Sequence, residues 1–343
     1  MARRTTIVDV ARAAGVSLST ASVALNGLPG VSEAKREQIR RIARELSYSP
    51  TLRARGLAAK RAFAIGFVVE RSPAVMSSDP FFGAFIAGVQ EAIAGAGYVM
   101  VLQVSPSPEQ AAWLYREFAG ERRVDGVLLD QLRVDDGRIA LVGELGLPAV
   151  AIAPPTVSVP LPLTSQSAAP GIVQLVEHLI ALGHRDIAHI RGKLDYVHSV
   201  ERREAWLATL ARAGLPAGPE LQGDFTVASG SRAAEAILAM ERRPTAVVCV
   251  NDLCAIGLVA GLQAAGVEVP GEISVVGFDG IELANYLHPR LTTVRTAPET
   301  VGRAAAAMLL ELIDEPGRQP WTVRLGLGPM VVGDSTAPPP AGR

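Results

Sequence analysis

The sequence predicts an α/β protein in two parts: a three-helix helix-turn-helix head, then a two-lobed body built on two doubly wound parallel sheets. Three observations carry that expectation. Residues 1–61 hold twelve Lys and Arg against four Asp and Glu, a balance of +8, which leaves −9 on the rest of a chain whose sum is −1. Apolar residues in the head recur at helical spacing. Beyond Ala62, short apolar runs alternate with amphipathic stretches, the rhythm of parallel strands and crossover helices. A basic head on an acidic body points to a polyanion-binding module joined to something else.

In the head, Ile7, Val10, Ala11 and Ala14 follow the i, i+3, i+4, i+7 pattern of one buried helical face. Thr5 or Thr6 can cap its start, and Gly15 can end it in a left-handed conformation. Ser17 is a natural N-cap for a second helix running to about Asn26. Ser32 caps a third, whose Ile39, Ile42, Ala43 and Leu46 close a small core over the pair. A plain three-helix interaction module has the same periodicity, and the charge of the head argues against it. After Pro50, Thr51–Lys60 is short and basic, below the ~12–15 residues at which an isolated helix becomes stable, and Gly56 weakens it further.

In the body, Ala64–Val69 is an apolar run suited to a buried parallel strand. Phe82–Ala96 reads as a helix, and Tyr98–Leu102, Gly126–Leu129 and Ala149–Ile152 as further strands. Ile187–Ile190, Ala246–Val250 and Ile273–Phe278 follow. The Pro-rich break from Pro154 to Pro162 divides the two halves. Ligands in such folds sit at the carboxyl ends of strands and between lobes.

The composition excludes several classes. With 343 residues and 20% charged residues the chain supports two or three full cores and is not disordered. No apolar run reaches the ~18 residues of a membrane span. Cys249 and Cys254 form neither a disulfide framework nor a zinc site and read as buried filler. Arg3-Arg4 imitates an export signal, but Thr5–Arg12 carries two charges where an apolar stretch belongs, so a cytoplasmic location is expected. There is no G-x-S-x-G elbow, P-loop, H-E-x-x-H or Rossmann glycine fingerprint, and His178, His184, His189, His198 and His288 lack ligand spacing. An enzyme, a metal and a cofactor are therefore not expected.

Thr6-Ile7-Val8-Asp9-Val10-Ala11, Ala14-Gly15-Val16-Ser17, Thr20-Ala21-Ser22 and Leu25-Asn26-Gly27 closely resemble the head of the lactose-repressor/galactose-repressor family. Val31-Ser32, Tyr48-Ser49-Pro50 and Arg55-Gly56-Leu57-Ala58 continue the likeness in register. Further matches run through the body at Asp79-Pro80-Phe81-Phe82, Glu177–His184, Arg202-Arg203 with Trp206, Asn251-Asp252, Val275–Asp279 and Leu291–Val294. The resemblance implies a homodimer whose second helices enter successive major grooves of a near-palindromic operator. It implies that Leu18, Ser19 and Val23 face base edges, and that Thr6, Ser17, Ser22 and Asn26 anchor phosphates. Val23 stands where many relatives carry Arg or His. Residues 51–61 would form a hinge helix whose Leu57, with Ala58, enters the minor groove and unstacks a base step.

For the body, residues 62–343, the resemblance implies the periplasmic sugar-binding-protein fold. Its lobes would be about 62–160 plus 292–322, and about 163–290 plus 323–343. A small-molecule effector would lie between them against Phe81, Phe82, Arg202, Phe225, Asn251 and Asp279, with Tyr196 and His198 nearby. Many relatives place an Asp-Arg pair and a Val-Asp-Asn run where this chain reads Ala153-Pro154-Pro155 and Thr164-Ser165-Gln166. The lower lip of the cleft is thus expected to have lost charge, leaving a sugar and a bulkier, less polar effector both open. The expected function is an effector-controlled, DNA-binding regulator, most often a repressor; the alternatives are a sugar-binding protein without a DNA role and a sugar-processing enzyme. Pro338-Pro339-Pro340 cannot enter a helix interior, so no tetramerising tail helix is expected, and the dimer would rest on body helices such as Phe82–Ala94.

Overall fold

The computed structural model describes residues 5–27, 29–48, 56, 59–71, 76 and 78–341. The head comprises α1 (Ile7–Ala14), α2 (Leu18–Leu25) and α3 (Glu33–Glu45). Thr6 opens α1 with its N–H donating to the Asp9 carboxylate at 2.9 Å. Gly15 ends it at φ 63°, and the chain turns by 104° into α2. That angle suits a helix-turn-helix. Ser17 caps α2 by accepting the Thr20 N–H at 3.1 Å. Val10, Ala14, Ala24, Ile39 and Ala43 form the buried centre of the head.

The body continues as β1 (Ala64–Glu70), α4 (Pro80–Ala94), β2 (Val99–Ser105), α5 (Pro108–Gly120), β3 (Gly126–Leu129), α6 (Gly137–Glu144), β4 (Ala149–Ala153) and β5 (Leu163–Gln166). Then follow α7 (Ala169–Ala181), β6 (Ile187–Arg191), α8 (Val197–Arg212), β7 (Glu220–Gln222), α9 (Val227–Leu238), β8 (Ala246–Cys249), α10 (Asp252–Ala264) and β9 (Ser274–Val276). The chain ends with β10 (Thr293–Val294), α11 (Pro298–Asp314), β11 (Thr322–Leu325) and β12 (Met330–Val331). One parallel sheet has the order β11-β5-β4-β3-β1-β2 and the other β7-β6-β8-β9, while β10 and β12 pair as an antiparallel ribbon. The helix predicted to begin at Phe82 begins at Pro80, because the Asp79 side chain accepts the Phe81 N–H and proline suits a first turn.

The lobe limits read from the sequence need correction. The strands β5 and β11, assigned to the second lobe, lie in the first sheet, with Leu163 opposite both Ala151 and Thr322. The Pro-rich stretch before β5 is a return loop within the first lobe. Prolines cannot join a ladder, which is why the stretch reads as a boundary.

Two helix crossings depend on glycine. A Cβ on Gly88 of α4 would lie 1.9 Å from the Glu299 carbonyl oxygen of α11, and one on Gly302 of α11 would lie 2.2 Å from that of Phe85. The second lobe repeats the device between α9 and α10, where a Cβ added to Gly230 or Gly257 would lie 1.9 Å from a facing carbonyl oxygen. Backbone contact between α4 and α11 thus seats the middle of α4 against the start of α11.

The far end of α11 holds the segment entering the body. Arg61 donates to Asp314 at 2.6 Å and to the Ile313 carbonyl at 3.1 Å, a cation on a helix C-terminus. The Asp125 carboxylate accepts the Ala62 and Phe63 N–H groups at 2.7 and 2.8 Å.

Candidate functional site

Residues from the carboxyl ends of six parallel strands, β4 with its Ala153 among them, and from the segments after them converge on one cavity between the lobes. Arg71 and Asp79 follow β1, Asp130 and Gln131 follow β3, Gln166 ends β5, Asn251 follows β8, and Phe278 and Asp279 follow β9. Val301, in the first turn of α11, and Phe81, in that of α4, complete the apolar part of the first-lobe wall.

Of the residues expected at an effector site, Phe81, His198, Arg202, Phe225, Asn251 and Asp279 line this cavity. Phe82 does not. It is 2% exposed and packs into the first-lobe core, since one residue along a helix turns a side chain by ~100°. Tyr196 lies behind the wall: its ring stacks on His198 at 5.5 Å, and its hydroxyl accepts a hydrogen bond from Arg71 at 2.6 Å. Asn251 is a cap as well as a lining residue, because its Oδ1 accepts the Cys254 N–H while its Nδ2 donates to the Phe225 carbonyl.

Ala153, Pro154 and Gln166 line the cavity without charge, while Arg71, Asp79 and Asp130 bring charge from other strand ends. Asp130 stands at the end of Gly126–Leu129, so the carboxyl-end rule alone would have found it.

Backbone strain gathers here. Gln131, Phe225 and Asp279 have φ of 51°, 70° and 123°, values that cost a non-glycine residue roughly 1–3 kcal/mol. Burial pushes Asp79 and Asp279 above the usual carboxylate range. Arg202, buried as well, lies 4.0 Å from Asp279 and packs its guanidinium 4.1 Å from the centre of the Phe278 ring. Desolvation drives His198 well below the usual imidazole range, so it is neutral at pH 7.

Asp130 is pushed up to about 6 by burial, and its Oδ2 has no hydrogen-bond partner. A carboxyl whose folded value is raised stabilises the fold at low pH and loses that contribution as pH rises through the folded value. Above pH 6 the buried charge costs up to ~3 kcal/mol. Asp130→Asn is therefore expected to raise the Tm at pH 8 by several degrees and to change little near pH 4. Equal shifts at both pH values would contradict this reading.

One flank of the cavity is clasped shut across the lobes. The Val134 N–H donates to the Asp195 carbonyl at 2.8 Å, and the Val197 N–H to the Leu132 carbonyl at 3.0 Å. Among the described residues, no group of three or more His, Cys, Asp or Glu could hold a metal ion.

The head presents a second candidate surface. Leu18, 51% exposed, and Ser19, whose hydroxyl hydrogen-bonds that of Ser17 at 2.8 Å, are exposed on α2, and Val23 is half-buried on the same side, whereas Ala21 and Ala24 face the core. Ser17 and Ser22 lie along this surface, with Asn26 donating from Nδ2 to the Ser22 carbonyl at 2.9 Å. Thr6 sits at the start of α1. Leu57 and Ala58 lie outside the described residues.

Residues 6–51 match the family model of bacterial regulatory proteins, lacI family, and residues 176–336 match a periplasmic binding protein-like domain. The HTH-type transcriptional repressor PurR of Vibrio atlanticus is 34% identical over 313 residues, which cover 90% of this chain and 92% of that protein. The probable HTH-type transcriptional repressor ExuR of Bacillus subtilis is 33% identical, over 91% and 92%. Among solved structures, the lac repressor dimer bound to operator and the anti-inducer ONPF superposes with a TM-score of 0.83 at 27% identity, covering 98% of this chain and 100% of that one. The transcriptional regulator CelR–cellobiose complex gives 0.75 at 31% identity, over 97% and 100%.

Proposed function

The chain belongs to the lacI family of bacterial regulatory proteins, and from that premise we propose that it is an operator-binding repressor whose DNA affinity is set by a small molecule in the cleft. The observation that carries the proposal is the union, in one chain, of an exposed helix-turn-helix face with a strained, polar cavity between two lobes. Regulation of DNA places the protein in the cytoplasm. A gel shift against genomic fragments at several salt concentrations tests the DNA role. Specific bands should weaken steeply as salt rises, through release of counterions from the phosphates. Absence of any retained fragment at low salt would refute it.

The exposed face of α2 supports Leu18, Ser19 and Val23 as base-reading residues, with Thr6, Ser17, Ser22 and Asn26 against phosphates. Valine has no hydrogen bond to give, so it contacts a thymine methyl or excludes a base. Val23→Arg is expected to shift preference towards guanine at one position per half-site, by ~1–3 kcal/mol. Selection from a random pool reads this out, and an unchanged sequence would remove Val23 from the base edges.

Effector control has a physical route through α11. Its first turn lines the cavity at Val301, and its last holds Arg61 at the end of the linker to the head. A ligand that favours one lobe arrangement thereby biases the linker, and the coupling is reciprocal.

Two heads on a near-palindromic site require a homodimer. The inward face of α4 is consumed by its own core, so the dimer rests on what remains exposed beside it: the edge strand β2, with Val99 and Leu102, and Trp113 of α5. Apolar side chains on an unpaired edge are otherwise an aggregation hazard. Light scattering is expected to give about twice the 36.0 kDa chain mass. A monomer on DNA would contradict this.

A further inference from the structure

We infer that the lobes part on one side only, at the clasp between residues 132–134 and 195–197, and that Tyr196 is the latch whose release admits a ligand. The latch gives the effector site its route of access and rests on that reading, but its test needs no effector.

Two kinds of contact bound the cavity. The chain crosses between the lobes three times, from β5 to α7, from β10 to α11 and from β11 to β12. Gln166, Thr296 and Leu327, one from each crossing, line the cavity. These crossings are covalent, so the lobes can rotate about them but cannot separate there. Leu132 and Val197 line the cavity too, and they belong to the clasp, which is held by hydrogen bonds and side chains alone. Asp130, Ala153, Asn251 and Phe278 are buried even though they face the cavity. A ligand larger than water therefore reaches them only when the clasp opens.

Tyr196 sits at the centre of that clasp. It stands opposite Arg133 at a non-hydrogen-bonded position of an antiparallel bridge, where facing side chains come closest. Its buried ring, from the second lobe, meets two first-lobe guanidinium groups, 4.4 Å from that of Arg71 and 5.6 Å from that of Arg133. Its hydroxyl accepts from Arg71 at 2.6 Å. The pull of a cation on a tyrosine face is strongest where water is excluded, as it is here. The first-lobe half is held in place, since Arg133 donates to Glu70 at 2.8 Å and its backbone N–H donates to Asp136 at 2.9 Å. On the other side the ring stacks on His198, which lines the cavity. Parting the lobes here breaks two backbone hydrogen bonds and withdraws Tyr196 from both arginines, while the strands behind stay intact. Such an opening is local and costs far less than unfolding.

Thiol labelling of the full chain tests the latch. Ala153→Cys places a reporter on the cavity wall, and the native Cys249 and Cys254, both fully buried, report unfolding. Iodoacetamide is expected to label Ala153→Cys slowly. Adding Tyr196→Ala should speed that labelling by about tenfold or more, and Tyr196→Phe, which keeps the ring and loses the hydroxyl, by a smaller factor. Cys249 and Cys254 should stay unlabelled throughout. Equal labelling rates with and without the Tyr196 substitutions would overturn the latch and leave the effector cleft in place. If Tyr196→Ala also uncovers Cys249 and Cys254, it has unfolded more than the clasp, and Tyr196→Phe decides alone. Hydrogen exchange in the unaltered protein is the second measurement. The Val134 and Val197 amides should exchange together, and faster than those of β3 and β6. Protection equal to that of the two strands would mean that the clasp opens only on unfolding, which contradicts the inference.

Discussion

Gly88→Ala is expected to destabilise the body by about 3 kcal/mol or more, out of proportion to one methyl group. The added Cβ would sit 1.9 Å from the Glu299 carbonyl oxygen and 3.0 Å from the Arg303 nitrogen, both backbone atoms that cannot swing aside. The helices α4 and α11 would have to separate, uncovering Phe85, Val89 and Leu309 at the centre of the first-lobe core. Urea unfolding measures the loss. Gly143→Ala on α6 is the control, since nothing lies within 4 Å of its added Cβ and the residue is exposed. There the loss of backbone freedom in the unfolded chain should stabilise by ~0.5–1 kcal/mol. Similar midpoints for the two variants would mean that the helices are not in backbone contact. Because both helices also present their first turns to the cleft, a folded remnant of Gly88→Ala should have lost ligand binding as well.

Leu57→Ala is expected to lower specific operator affinity by about two orders of magnitude, while non-specific binding changes little. The basis is the hinge reading: unstacking a base step costs a few kcal/mol, and a wedge side chain repays it by bending the duplex onto more protein surface. Non-specific binding rests on phosphate neutralisation, to which a leucine contributes nothing. Anisotropy titrations of operator and scrambled duplexes separate the two quantities, and a bending assay should show a straighter complex. Equal affinity and equal bending would remove the hinge assignment and leave the segment a plain linker.

Much of the architecture was legible because it is written in short-range signals. Gly15 and Ser17 mark the turn of the head, and continuous apolar runs mark β1, β3 and β4, all buried on both faces. The strands β5, β7, β10, β11 and β12 escaped, since two to four residues such as Leu163–Gln166 carry too little periodicity to distinguish strand from loop. The lobe limits failed for a related reason: prolines announce a loop without saying where the chain goes next. At the site, Asn251 and Asp279 were found because they stand in motif words at strand ends, and Arg202 because it stands in a motif word on a helix. Phe82 was misplaced because Phe81-Phe82 gives no hint of which ring faces the core. Asp130 was missed although it directly follows a recognised strand, whereas Arg71 was missed because its place depends on a convergence of strand ends distant in sequence.

The central claim is that the head and the cleft work as one device. It is tested most directly by titrating a pool-selected operator with the protein, without ligand and with a saturating concentration of a small molecule that raises its Tm. The account predicts a change in operator Kd of about fivefold or more, matched by an equal change in ligand affinity when operator is present. An operator Kd that stays the same with the cleft filled would contradict it.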